Sequence, residues 1–417
     1  MNDGKVYVVG AGLSGLSAAV MLSARGRHVE VIEAAPAAGG RCRSYFEPAL
    51  NRMIDNGNHL ILSGNRAVSD YVTMIGSGAQ FVGPPHAEFA FVDAKMGERW
   101  TIRPSDGVVP WWIFCKSRRV PGTGPMDYFA LTGLMRPRGD RLGDAVPAHG
   151  ALWNRLLHPL LLAALNTKPE IATAALAATI LRETLAKGGK AYLPRIASPT
   201  LAAALIDPAI AFVKERGGVF RFGQRLRSID FGASLVQGLE LGDAKVPLAE
   251  RETVILAVPP WVAGPLVPGI AAPDEFRAIV SGHFGIVPRQ GLAPITGLIG
   301  ATVEWIFVFP DRISVTISDA DRFTDTDRSE LAAICWRDVS NALGLPAKLP
   351  PWQIVKEKRA TFAATPEQER KRPGSPTPWR NLFLAGDWTD TGLPATIEGA
   401  IRSGKRAAQL VLASMPV

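Results

Sequence analysis

Gly10-Ala11-Gly12-Leu13-Ser14-Gly15 has the spacing G-x-G-x-x-G. Between a strand and a helix, such a loop offers main-chain N–H groups to a pyrophosphate. The first glycine permits the tight turn, and the second lets the backbone approach the phosphates. The third lets helix pack on strand, and the helix N-terminus faces the negative charge. Glu33 ends the following apolar run, with Ala34 beside it, and is placed to accept the hydroxyls of a ribose. A carboxylate there disfavours a 2′-phosphate, and with it NADP. Gly39-Gly40-Arg41 adds bare amides and a guanidinium capable of a bidentate phosphate contact. Far along the chain, Gly386-Asp387 follows another apolar run, and Gly392-Leu393-Pro394-Ala395-Thr396 leads into a helical one. Singly, each stretch also fits an ordinary loop that closes a sheet. The early loops together describe a dinucleotide site, and the late stretch repeats the pattern of strand end, acid and helix start.

The elements that must position these loops can be read directly. Residues 5–9 and 28–32 read as short buried parallel strands, with a small-residue helix at 13–25 between them, a βαβ unit. Residues 208–216 read as a helix, and 217–222, 226–231 and 253–258 as strands. Residues 302–309 and 312–317 read as a hairpin turned at Pro310-Asp311. A last buried strand is expected at 382–385, before a helix at 397–413. Residues 151–187 are rich in Ala and Leu and mostly helical in pattern. Residues 76–150, rich in Pro, Gly and Trp, show little periodicity, and no internal repeat is visible.

A chain of 417 residues, 47% of them hydrophobic, is expected to build two interleaved domains. The formal charge of +8 and pI of about 9.5 suit nucleic acid, anionic lipid or an anionic cofactor alike. The sequence lacks basic motifs interleaved with aromatics and lacks zinc-ligand spacing, which argues against nucleic acid. Cys42, Cys115 and Cys335 are scattered and odd in number, which points to a reduced, intracellular compartment. No signal-peptide pattern precedes the first strand. No apolar run reaches the ~18 residues of a membrane span. The run at 156–165 is short and interrupted by His158-Pro159.

With Gly39-Gly40-Arg41 after the acidic residue and Gly386-Asp387 after the late strand, the sequence resembles the FAD superfamily that includes amine oxidases and carotenoid desaturases. That resemblance implies FAD as cofactor, with the G-G-R element at the dinucleotide phosphates and Gly386 and Asp387 at the phosphate and ribityl region. It places backbone at Arg225-Leu226 near the adenine. It also turns the helix N-terminus behind Pro394, Ala395 and Thr396 toward the flavin ring, where the dipole stabilises negative charge on reduced flavin. Two stretches narrow the likeness to the hydroxysqualene dehydroxylase family of squalene and hopanoid synthesis. Asp55-Asn56-Gly57-Asn58-His59 is similar to its D-N-G-x-H element. Residues 386–400 are similar to its G-D-W-T-x-T-G-L-P-A-T-x-E-G-A signature. Asn58 stands where Gln is expected, which keeps an amide but shortens its reach.

The family likeness implies a reductive reaction, in which the allylic hydroxyl of hydroxysqualene is protonated and the resulting cation takes a hydride from reduced flavin. Candidate acids are Asp55, His59 and Asp390. A buried carboxyl has a raised pKa and keeps its proton, and His59 donates directly or orients the acid. Each has a plainer alternative. Asp55 can serve the Asn56-Gly57 turn, His59 can be a satisfied core histidine, and Asp390 can brace the flavin loop. Trp305, Phe307 and Phe309 alternate along one strand and share a face. They suit the wall of an isoprenoid tunnel that shields a cation, or ordinary core packing. Trp111-Trp112-Ile113-Phe114, followed by Lys116, Arg118 and Arg119, suits shallow seating in an anionic leaflet, or a buried aromatic knot beside a solvated turn.

The expected fold class is α/β. A Rossmann-like FAD-binding domain takes residues 1–75, 190–262 and 352–417, and a substrate domain of mixed sheet plus helices takes 76–189 and 263–351. Expected partners are an isoprenoid lipid substrate, a membrane surface and, because no second dinucleotide fingerprint appears, a separate electron donor. The expected location is cytoplasmic, on the inner face of the cell membrane. Rival readings are an oxidative isoprenoid desaturase, which runs the flavin the other way, and an amine oxidase, for which Trp388 is inadequate aromatic support. A lipid-binding chaperone like the Rab GDP-dissociation inhibitors would not need intact phosphate-binding loops.

Overall fold

The computed structural model describes residues 4–129, 131–137, 139–146 and 148–414. Residues 1–3 and 415–417, which open and close the expected nucleotide domain, lie outside them. Five short strands form a wholly parallel sheet in the order Val219–Arg221, Val29–Ile32, Val6–Val9, Thr253–Leu256, Leu382–Leu384. The three central strands and Leu382–Leu384 are buried along their whole length, as parallel strands covered on both faces must be.

Helices Leu13–Ala24 and Ile397–Ser414 pack together on this sheet, and small residues set how closely. A Cβ on Gly15 would lie 1.8 Å from the carbonyl oxygen of Gly10, and one on Gly404 would lie 2.0 Å from that of Ser14. No side chain fits at either position, so the first helix is drawn down onto its own loop and the last helix onto the first.

A second sheet has seven strands in the order Trp352–Phe362, Phe276–Phe284, Ile313–Ile317, Trp305–Val308, Ile295–Ile299, Phe89–Asp93, Arg99–Ile102. All neighbours are antiparallel except Ile295–Ile299 with Phe89–Asp93. One face packs on helix Arg328–Leu343 through Phe284, Ile306, Val315 and Trp336. The other faces helices His158–Leu165 and Ala174–Glu183 across an open space.

Two expectations change. Trp352–Phe362, assigned from sequence to the nucleotide domain, is the edge strand of the second sheet, because its long register with Phe276–Phe284 captures it. Residues 76–150, read as aperiodic, contain the strands Phe89–Asp93 and Arg99–Ile102. Among the described residues no helix is long and apolar enough to cross a membrane.

Candidate active site

One cavity of about 1050 Å³ lies between the two sheets. A single small ligand typically occupies a pocket of roughly 300–1,000 Å³, so this space suits two occupants. At one end it is lined by Gly10, Gly12, Leu13, Ser14, Glu33, Ala34, Gly39, Gly40 and Arg41 from the early loops. Arg225 and Leu226 join them, with Gly386, Asp387, Pro394, Ala395 and Thr396 from the late corner. Gly15 stands behind, where it packs helix on strand.

The early loops are cross-tied by their own backbone. The Gly39 N–H donates to the carbonyl of Ala11 at 2.8 Å. The Glu33 carboxylate accepts from the N–H groups of Ala11 (2.7 Å) and Ala35 (2.8 Å). Each of its oxygens keeps a second lone pair for a ribose hydroxyl. A Cβ on Gly12 would meet nothing within 4 Å, so the backbone here faces open space, as close approach of a pyrophosphate requires.

Arg41 lines the cavity and makes ties within the chain that its sequence position did not announce. Its Nη2 donates to both oxygens of Asp387 at 2.7 Å, and its Nη1 to the carbonyl of Ala360 at 2.5 Å. The guanidinium therefore joins the early loops to the late corner. Arg372, which the sequence reading passed over inside a basic run, is the second tie. Its buried guanidinium donates to the carbonyls of Asp387, Trp388 and Thr389, to the hydroxyl of Thr391 and to the Glu369 carboxylate. The Trp388 indole donates to the Val258 carbonyl at 2.9 Å, and the Gly386 N–H to Ser403 at 2.9 Å. The late corner is thus fixed on every side before any ligand arrives. The residues present fit a flavin dinucleotide.

The other end of the cavity is apolar, walled by Leu60, Trp112, Leu160, Ile180, Trp305 and Phe307 among others. Phe309 does not reach it. The strand ends at Val308, and Phe309 lies instead under the Arg312 guanidinium, 3.9 Å from its ring centroid. Trp112 and Ile113 are buried, so only Trp111 and Phe114 of the aromatic run face solvent.

The three candidate acids separate. Asp55 ends the strand Arg52–Asp55 with its side chain turned away from the cavity. It accepts from the Ser44 hydroxyl (2.6 Å) and the Leu201 N–H (2.9 Å), with the Arg312 guanidinium 3.8 Å away. Burial pushes its carboxyl up, against those three partners. Asp390 is exposed and outside the cavity. His59 lines the cavity, together with Asn56, Gly57 and Asn58. Burial and the nearby Arg41 guanidinium hold its imidazolium down to about 4, so the ring is neutral at pH 7.

Two further carboxyls were not anticipated. Glu357, on the strand that changed domain, lines the cavity and accepts from the Asn56 amide at 3.2 Å. Glu304 sits just behind the wall, accepting from the N–H of Ser318, which lines the cavity (2.8 Å); burial holds its carboxyl up at about 7. No sequence spacing marks either one, since both owe their positions to strand pairing.

The profile described as "Flavin containing amine oxidoreductase" matches residues 13–412. The chain is 50% identical over 408 residues to a hydroxysqualene dehydroxylase of Sinorhizobium fredii, and 50% over 411 residues to one of Rhodopseudomonas palustris, with 98% of each chain covered. A probable zeta-carotene desaturase of Synechococcus elongatus is 23% identical over 489 residues, covering 99% of both. The fold is shared with an oxidoreductase of Methanosarcina mazei (TM-score 0.75, 17% identity, 97% of this chain and 100% of that one). It is shared also with a putative protoporphyrinogen oxidase of Exiguobacterium (TM-score 0.71, 16% identity, 99% and 100%).

Proposed function

The chain belongs to the flavin-containing amine oxidoreductase family and, within it, to the hydroxysqualene dehydroxylases, and from that premise we propose that it reduces hydroxysqualene to squalene. Its cofactor is FAD. The C–O bond at the allylic carbon breaks, a C–H bond forms there, and the hydroxyl leaves as water with one added proton. Reduced FAD, when bound, supplies the hydride. The observation that carries this reading is the single cavity that runs from bare dinucleotide-binding loops into an apolar chamber.

The chain's own residues have three tasks. The loops at 10–15, 33–34, 39–40 and 386–396 hold the dinucleotide, kept in register by the Arg41–Asp387 pair. Trp305 and Phe307 line the wall beside the developing cation, where a ring face turned to it is worth roughly 0.5–2 kcal/mol. His59 hydrogen-bonds to the leaving hydroxyl through its neutral N–H and orients it, and passes that proton on only as its other ring nitrogen takes one up. Asp55 is a positioning residue, fixing through Ser44 and Leu201 the start of the loop that carries His59. Asp390, whose N–H donates to Pro373, braces the flavin corner from outside. The substrate is drawn from a membrane, and the electrons come from a separate donor.

The test is an anaerobic assay with hydroxysqualene and chemically reduced FAD, with product hydrocarbons separated by chromatography. Squalene forming in proportion to flavin oxidised supports the proposal. Unchanged alcohol in the presence of fully reduced, bound flavin rejects it, and formation of a more unsaturated chain by oxidised FAD favours a desaturase instead.

A further inference from the structure

The wall of the cavity includes one stretch of chain whose residues alternate between inside and outside. Pro104, Trp112, Tyr128 and Leu131 line the cavity. Their neighbours Trp111, Phe114, Met126 and Phe129 are 68%, 57%, 76% and 51% exposed. The stretch is built to hold both faces. The turn Trp111–Phe114 packs on the helix Pro125–Phe129 with the Trp112 ring edge-on to Tyr128 at 5.1 Å, and the Tyr128 hydroxyl accepts from the Val120 N–H at 3.0 Å. On the outer side the Trp111 and Phe114 rings lie 6.2 Å apart. Val108 and Val109 are exposed beside them. Contiguous large apolar groups facing solvent are uncommon on a soluble surface and mark an interaction site.

The charges around this face choose the partner. Residues 104–137 carry Lys116, Arg118, Arg119 and Arg136 against Asp106 and Asp127. Lys116 and Arg136 are exposed, as are Lys187 and Lys190 on the adjoining turn, whose Lys190 N–H donates to the Asp106 carbonyl. Aromatics at the centre with cations at the rim are what an anionic lipid headgroup layer selects. A protein partner would not require that the same stretch open inward onto an apolar chamber.

We propose that this face seats in an anionic bilayer leaflet and that residues 104–129, with Leu131, are the portal by which the isoprenoid passes from leaflet to cavity. The second clause rests on the function proposed above; the first stands without it. Seating brings Trp111, Phe114, Met126 and Phe129 below the headgroups, so Trp112, Tyr128 and Leu131 become the first residues a lipid meets on leaving the membrane. The substrate then never crosses water.

The experiment uses the FAD-loaded full-length chain and two readouts. In sedimentation with phosphatidylcholine vesicles, with and without phosphatidylglycerol, the unaltered chain binds the anionic vesicles. The double variant Trp111→Ser with Phe114→Ser loses at least about tenfold in partitioning, Lys116→Glu weakens binding to the anionic vesicles alone, and Val287→Ser, an exposed residue elsewhere, changes nothing. In turnover, the double variant loses activity on hydroxysqualene embedded in vesicles and keeps it on hydroxysqualene dispersed in detergent. Undiminished sedimentation of the double variant overturns the seat, including in favour of a protein partner. Equal loss in both presentations overturns the portal. If the unaltered chain turns over neither preparation, the proposed reaction fails while sedimentation still decides the seat.

Discussion

The two ends of the cavity handle polar groups in opposite ways. At the dinucleotide end, charged side chains are consumed in holding the backbone still: Glu33 on Ala11 and Ala35, Arg41 on Asp387, Arg372 on three successive carbonyls. An anionic ligand there meets mainly main-chain amides and a helix N-terminus, with the free lone pairs of Glu33 left for hydroxyls. At the apolar end, ionisable groups near the reacting centre are few, and burial holds the one imidazole there neutral. A site that must pass through a carbocation gains from this, because a protonated imidazole beside it would oppose it. The first end is rigid so that it can bind charge, and the second is kept uncharged so that charge can form in it.

Substitutions separate the two regimes, taken here from the largest effect down. Arg372→Met leaves the carbonyls of Asp387, Trp388 and Thr389 without a donor in a buried corner. A cost of about 3–5 kcal/mol is expected. It is visible as colourless purified protein and a lowered Tm, and retention of flavin at unaltered Tm would contradict the claim that this corner is pre-fixed. His59→Ala should lower kcat by about 10²–10³-fold with FAD still bound. Loss of flavin instead would move His59 to the dinucleotide end of the comparison.

Acid sensitivity comes next. His283 is fully buried, its Nδ1 against the Ser314 hydroxyl at 2.8 Å, and burial together with Arg312 holds its imidazolium down to about 3 from the usual 6.5. The unfolded chain binds the proton in that interval and the folded chain does not, so stability rises with pH across it. It is lost as pH falls from about 6.5 toward 3, by an amount on the order of 5 kcal/mol from this group. His283→Asn should flatten that part of the curve in urea melts recorded across the window; a curve of unchanged slope would show that His283 does not titrate there. Asp55→Asn should cost activity roughly tenfold through the position of the 55–59 loop, with kcat affected more than KM and no shift of the pH profile. A shifted profile would return Asp55 to the role of proton donor. Trp305→Leu keeps the wall apolar but removes the ring, and should slow turnover by about 3–10-fold with product unchanged.

What the sequence disclosed follows the same division. Glycine at 10, 12 and 15 encodes how closely backbone and helix approach, and that information is local, so the loops lining this end of the cavity were legible. The role of Arg41 was half legible, since its partner stands 346 positions away. Arg372 gave no local sign, because an arginine before Pro373-Gly374 in a basic run reads as solvated until the corner folds over it. At the apolar end the unknown was register. Asp55 and Asn56 are adjacent, yet one faces Ser44 and Leu201 and the other the cavity, and only the pairing of Arg52–Asp55 with Ser44–Glu47 decides which. The same holds for Trp111 against Trp112. The strand Phe89–Asp93 was missed because its parallel partner, Ile295–Ile299, lies some two hundred positions on, beyond any window of periodicity.

The bond between Arg41 and Asp387 also sets a timetable. A ribosome releases the first dinucleotide-binding loop early in synthesis and the matching corner almost last. The nascent βαβ unit must therefore wait, with its phosphate loop open and its helix lacking the Ile397–Ser414 neighbour, until nearly the whole polypeptide has emerged. Closure of the cavity is a late step in the folding of such a chain. A translation product halted even a few dozen residues early holds half a cradle, and no amount of free coenzyme completes it.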